Sequence, residues 1–176
     1  MLADQLAALN THYASSYISF DLVNITRTVN RIWATSDTPA EQLAMKRALR
    51  QGGYGALNIY FMTSVTDEDS GGAVNGQCPF PTTVRPGSDE FYSDGCMVLH
   101  EKVPGGRSEG TTATHEVGHW FGLLHTFQGG CTGAGDRVDD TPAERTPSRG
   151  CNITRDTCPN QQGYDPVTNF MDYSPG

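Results

Sequence analysis

Leu2, Leu6, Leu9 and Tyr13 recur at helical spacing, and this period predicts an amphipathic helix from Leu2 to Tyr13. From Tyr17 to Val23 the pattern becomes a rough alternation of apolar and polar positions. Ile25 to Val29 continue it, which predicts an extended strand. A second helix opens at Thr38-Pro39-Ala40-Glu41, with Thr38 as N-cap, Pro39 at the first helical position and Glu41 closing a capping box. Leu43, Met45, Ala48 and Leu49 supply its apolar positions, and Gly52-Gly53 stops it. Leu57 to Met62 is short, apolar and β-rich, as a buried strand requires. Asp67 to Ser93 carries Gly71-Gly72, three prolines and no helical period, and reads as a long surface loop. Cys96 to His100 reads as a further short strand at a sheet edge. Ser108 to Leu124 reads as a helix ending near Gly122, and turn chemistry dominates from His125 to Tyr164.

Composition narrows the classes. The 176 residues are about one domain's worth, enough to bury a sizeable core. Twenty glycines and ten prolines favour a loop-rich fold over a helical bundle, and no tripeptide or heptad period is present. Twelve Lys/Arg against twenty Asp/Glu give a formal net charge of −8, a poor match to a phosphate backbone, so no nucleic-acid partner is expected. No apolar run approaches the roughly 18 residues of a spanning helix, so no membrane span is expected. Five cysteines without a CxxC pair argue against a four-thiolate zinc site. The sequons at Asn24 and Asn152, together with loop cysteines, favour an oxidising, extracellular setting. No signal peptide is visible at Met1-Leu2-Ala3-Asp4, so a secreted protein would be shown here in a processed or recombinant form.

The chemistry concentrates in His115-Glu116-Val117-Gly118-His119-Trp120-Phe121-Gly122-Leu123-Leu124-His125. Helical positions four apart share a face, so His115 and His119 can aim imidazoles at one ion. Glu116 lies within about 60° of His119 around the axis, which leaves its carboxylate beside the ion. Gly122 lets the chain leave the helix sharply, and His125 can return as a third nitrogen ligand. Three neutral imidazoles leave a fourth position for water, the plan of a catalytic zinc. HExxH alone could equally be an exposed helix face; the GxxH extension makes coincidence much rarer. His12, on a surface helix, and His100 are not recruited.

This stretch resembles the signature of the metzincin clan, HExxHxxGxxH followed by a Met-turn, here Asn169-Phe170-Met171-Asp172-Tyr173. Within the clan, His125-Thr126-Phe127, Gly129-Gly130-Cys131, Asp139-Asp140-Thr141-Pro142 and Asp156-Thr157-Cys158-Pro159 resemble the pappalysin family, ulilysin-like and similar to secreted fungal metalloproteases. Leu57 to Tyr60 and Gly95 to His100 also resemble the fungal members, so the likeness covers the chain broadly.

The resemblance implies an α+β zincin/metzincin fold with a mixed twisted sheet and an active-site helix. A single catalytic domain, residues 1–176, would comprise an N-terminal subdomain (1–125) and an irregular C-terminal one (126–176), with the cleft between them. It implies a secreted zinc endopeptidase, acting as a monomer. Zinc would lower the pKa of bound water from ~15.7 towards ~7, and Glu116 would act as general base and then acid. Met171 would floor the zinc, although an ordinary core Met reads equally well. Tyr173 would approach the zinc and stabilise the tetrahedral intermediate, with a core or rim Tyr as the alternative. Substrate would bind as an extended strand along Met97 to His100. Asp136, Asp139, Asp140 and Thr141 gather hard oxygen donors suited to calcium, which ulilysin-like relatives bind in this region; a solvated acidic loop is the bland alternative.

Five cysteines with one left over allow fifteen two-bridge patterns. The choice made here is Cys78–Cys96 across the Pro-rich loop and Cys131–Cys158, the latter supported more by the family likeness. Cys151 is then left over. In ulilysin-like relatives its counterpart pairs shortly beyond the Met-turn, which implies that a chain ending at Gly176 is shortened at its C-terminus. The competing expectation is a buried lone thiol. A different class stays open, a catalytically silent zinc-bearing binding domain, against which the presence of Glu116 argues. A nucleobase deaminase is disfavoured, since HxE…PCxxC is absent.

Overall fold

The computed structural model describes residues 2–67 and 71–174; the expectations for residues 68–70 of the long loop and for the chain's end at Gly176 lie outside them. Eight helices and strands follow one another in the described residues. They are α1 (Leu2–Tyr13), α2 (Arg31–Thr35), α3 (Pro39–Leu49), β1 (Ile59–Met62), β2 (Gly76–Gln77), α4 (Asp89–Ser93), β3 (Cys96–Leu99) and α5 (Thr111–Trp120), with a 3₁₀ turn at Ala14–Ser16. The chain divides into two compact units, Met1–Trp120 and Phe121–Gly176.

Local signals placed α1 and α3 well. The Thr38 hydroxyl accepts from the Glu41 amide at 3.3 Å, and the Glu41 carboxylate accepts from the Thr38 amide at 3.1 Å, so the capping box closes as expected. Helix α3 ends at Leu49, with the Arg50 amide donating back to Lys46 O.

The strand expected at Tyr17–Val29 does not form. Tyr17, Val23 and Val29 are more than nine-tenths exposed. At Phe20 the carbonyl accepts from the Asn10 side chain at 3.1 Å and the amide donates to it at 2.7 Å, so a side chain uses the groups a ladder needs. The loop from Asp67 is likewise less uniform than its composition suggests. It contains β2 and α4, the latter capped by the Ser88 hydroxyl accepting from the Phe91 amide.

Three strands form a mixed sheet in the order β1-β3-β2. β3 pairs parallel with β1 from Ile59↔Cys96 to Met62↔Leu99, and antiparallel with β2 through Gly76↔Val98 and Gln77↔Met97. The segment expected at the edge is therefore the central strand. Its backbone groups are committed on both sides, so it cannot receive a substrate strand. The edges in the described residues are β1 and β2. A central position also explains the burial of Cys96, Met97 and Val98.

One core cluster of the first unit holds Leu9, Tyr13, Cys78, Cys96 and Val117; the other holds Met45, Tyr60, Met62, Val65 and Met97. The Cys78–Cys96 disulfide forms and lies within the first cluster. The second unit, Phe121–Gly176, contains no helix or strand among its described residues. Cys131–Cys158 bridges it, as chosen from the sequence. Cys151 lies outside both bridges and is exposed, not the buried thiol of the competing expectation.

Candidate metal centre

Helix α5 carries the histidine pair and is held from behind by α1. Tyr13 Oη donates to Thr114 O at 2.9 Å, His12 Nδ1 lies 2.7 Å from Thr114 Oγ1, and Gln5 Nε2 donates to Gly110 O at 3.1 Å. His12 thus has a structural role on the helix. His100 Nδ1 lies 3.1 Å from Met62 O, back on the sheet. The helix, expected over Ser108–Leu124, runs only from Thr111 to Trp120. Gly122 follows at φ 94°, a left-handed turn that a residue with a Cβ would resist.

His115 and His119 present Nε2 atoms 3.1 Å apart, with perpendicular rings. Within this eleven-residue segment, one ligand atom from each of His115, His119 and His125 lies within 4.8 Å of the others. Tetrahedral zinc with bonds of 2.0–2.1 Å spaces its nitrogens about 3.3 Å apart, so the donor set fits. Among the described residues no other group of three His, Cys, Asp or Glu side chains converges in this way.

Glu116 is 5% exposed, and its Oε2 has no hydrogen-bond partner. An orphaned buried carboxylate oxygen needs an explanation, and a nearby cation with water supplies one. In the metal-free chain burial pushes the carboxyl up to about 8 from its ordinary 4.5. Between those values the folded chain keeps a proton that the unfolded chain has released, so stability is present at low pH and lost as pH rises through about 8. The Tm of chelator-treated protein is accordingly expected to fall on the order of 5 °C from pH 5 to pH 8. Glu116→Gln should flatten that slope in a calorimetric pH series, and an unchanged slope would remove Glu116 as its source.

In the second unit His125 stacks on Phe127, with centroids 4.8 Å apart, and meets Tyr173 edge-on at 4.9 Å. Thr126 N donates to Met171 O at 3.3 Å, which ties the residue after His125 to the Met-turn. Met171 is buried, its amide donating to Asn169 Oδ1 at 2.9 Å, while Tyr173 is half exposed. The acidic loop does not form a ligand cluster. Asp136 is buried and turned to the Val138 amide, whereas Asp139 and Asp140 are exposed. Thr141 N donates to Val138 O. Calcium gains no support from this arrangement.

Composition and motif reading overlooked three contributors. Phe80 packs edge-on against His119 at 5.2 Å, Glu144 accepts from Thr126 Oγ1 at 2.7 Å, and Gly76 lies against Glu116. No local pattern marks any of them, since each meets its partner across a long sequence separation.

The family profile of peptidase M43, described as pregnancy-associated plasma protein-A, matches residues 54–176. The chain is 57% identical over 178 residues to an extracellular metalloprotease of Colletotrichum graminicola, covering 99% of this chain and 60% of that protein. It is 53% identical to extracellular metalloprotease 1 of Coccidioides posadasii, covering 99% and 61%. The chain thus spans about three fifths of the length of these curated relatives. Mature mirolysin of Tannerella forsythia, solved in complex with a cleaved peptide, is similar in fold, with a TM-score of 0.63. That match has 23% identity and covers 98% of this chain and 76% of mirolysin. The α+β metzincin architecture expected from the motifs agrees with it.

Proposed function

The chain belongs to the peptidase M43 family, the pappalysins, and from that premise we propose that it is the catalytic domain of a secreted zinc endopeptidase. The observation that carries this reading is the convergence of the three imidazoles beside a buried carboxyl with an unpartnered oxygen. Secretion draws support from the relatives' description as extracellular proteases and from the two disulfides.

His115, His119 and His125 would hold zinc through their ring nitrogens. When bound, zinc supplies Lewis-acid polarisation of a carbonyl and acidifies water. Glu116 takes the proton from the attacking water and hands it to the leaving amine. Its burial beside the histidine pair, with one carboxyl oxygen unpartnered, leaves that oxygen available to the attacking water. Tyr173, beside His125, would donate its hydroxyl to the developing oxyanion. The substrate would bind as an extended strand on the outer edge of β2. That strand's inner side is taken by β3, and Gly76 places it next to Glu116.

Purified protein is expected to contain one zinc per chain and to degrade a denatured protein, with a chelator abolishing the activity and added zinc restoring it. Elemental analysis finding no stoichiometric transition metal would overturn the reading. Zinc retained without hydrolysis of any peptide in a digested proteome would favour the silent binding domain instead.

A further inference from the structure

Strand β2 contributes only Gly76 and Gln77 to the sheet, opposite Val98 and Met97. Side chains alternate along a strand, so position 76 shares its face with Cys78 and, across the ladder, with Val98 and Cys96. That face packs on α5. Cys96 Sγ lies 3.6 Å from Glu116 O, and Cys78, Cys96 and Val117 belong to one buried cluster. The Cys78–Cys96 bridge, two residues from Gly76, ties β2 to the central strand at this height.

A Cβ placed at Gly76 would stand 2.6 Å from Glu116 Oε1, 2.7 Å from its Cγ and 2.8 Å from its Cδ. All three distances are inside van der Waals contact. Rotating the terminal oxygens alone leaves Cγ and Cδ in collision, and a side chain 5% exposed has little space to swing elsewhere. The backbone at 76 does not lie in the left-handed region, so conformation does not demand glycine there. Space does.

We propose that Gly76 is a positioning residue: the bare α-carbon of the edge strand leaves the only room in which the Glu116 carboxylate can reach its working orientation. The edge strand thereby fixes the general base. The catalytic consequence rests on the reading of Glu116 as the base; the steric contact does not.

The two can be tested apart. Alanine in place of a strand glycine is ordinarily neutral to stabilising. Here Gly76→Ala is expected to lower the Tm of the metal-free chain by about 4 °C or more. In a Glu116→Ala background, where the space is vacated, the same substitution should cost nothing. Gly53→Ala, an exposed glycine whose added Cβ meets no atom within 4 Å, serves as the neutral control. In zinc-loaded protein Gly76→Ala should reduce kcat by roughly 10- to 100-fold, with KM and zinc content little changed, because a displacement of about 1 Å at the base costs that much. Additive Tm changes in the cycle, or Gly76→Ala with full kcat, would overturn the proposal. Should Gly76→Ala be too unstable to purify, the Gly76→Ala/Glu116→Ala chain must still fold, and a double variant equally unstable would sink the idea. A Glu116→Gln enzyme with intact hydrolysis would instead defeat the assignment of the base while leaving the thermal coupling in place.

Discussion

Glu116→Gln is expected to keep the zinc and lose hydrolysis by roughly 10²- to 10⁴-fold, the usual contribution of a positioned acid–base group. The amide matches the carboxylate in shape, so the buried site beside Gly76 stays filled. Its charge and proton-accepting capacity disappear. The ring nitrogens of His115, His119 and His125 are untouched, which predicts unchanged zinc stoichiometry by elemental analysis. The diagnostic outcome is therefore a fall in kcat at constant metal content. If the variant retained most of its activity, Glu116 would not be the base, and the proton would have to pass through another group.

The second large effect lies in the irregular unit. Arg155 Nη1 sits between two carboxylates whose side chains are wholly buried, 2.5 Å from Glu144 Oε1 and 2.6 Å from Asp165 Oδ2. Ser148 Oγ also donates to Glu144, at 2.7 Å, and Arg155 Nη2 donates to Thr146 O and Oγ1 at 3.0 Å each. The described residues of this unit hold no strand or helix, and this network helps to join residues 126, 144–148, 155 and 165. Arg155→Met keeps the stem but leaves two buried anions uncompensated, a change that costs about 3–5 kcal/mol. A Tm loss on the order of 10 °C follows for a chain of this length. Arg107→Met is the control. It breaks an exposed pair with Glu101 and should change stability by less than about 1 kcal/mol. Because Thr126 follows His125 and donates to Glu144, zinc affinity should also weaken, by about 10-fold. Equal melting temperatures for the Arg155 and Arg107 variants would show that the buried network contributes little.

The three-histidine cluster was legible because its information is local. Four residues of helix bring His119 over His115, and a left-handed glycine three residues later brings back His125. The capping box at Thr38–Glu41 and the amphipathic period of Leu2–Tyr13 were legible for the same reason, since each is complete within one or two turns. The bridges were chosen correctly among fifteen patterns, partly on family likeness. Alternation at Tyr17–Val23 misled, because a strand needs a partner and Asn10 claims the groups of Phe20 first.

Sequence by itself therefore determined the three-histidine motif, the helix that carries its first two members and the family to which the chain belongs. Tertiary structure alone decided that Cys96–Leu99 is a central strand and that Gly76–Gln77 forms an edge against Glu116. It also decided that Arg155 neutralises two buried acids in a region that reads only as turns. The physical reason is range. Helical spacing, capping and glycine turns act over three to seven residues, whereas strand order, steric fit and charge burial depend on residues ten to forty positions apart, whose meeting no local period records.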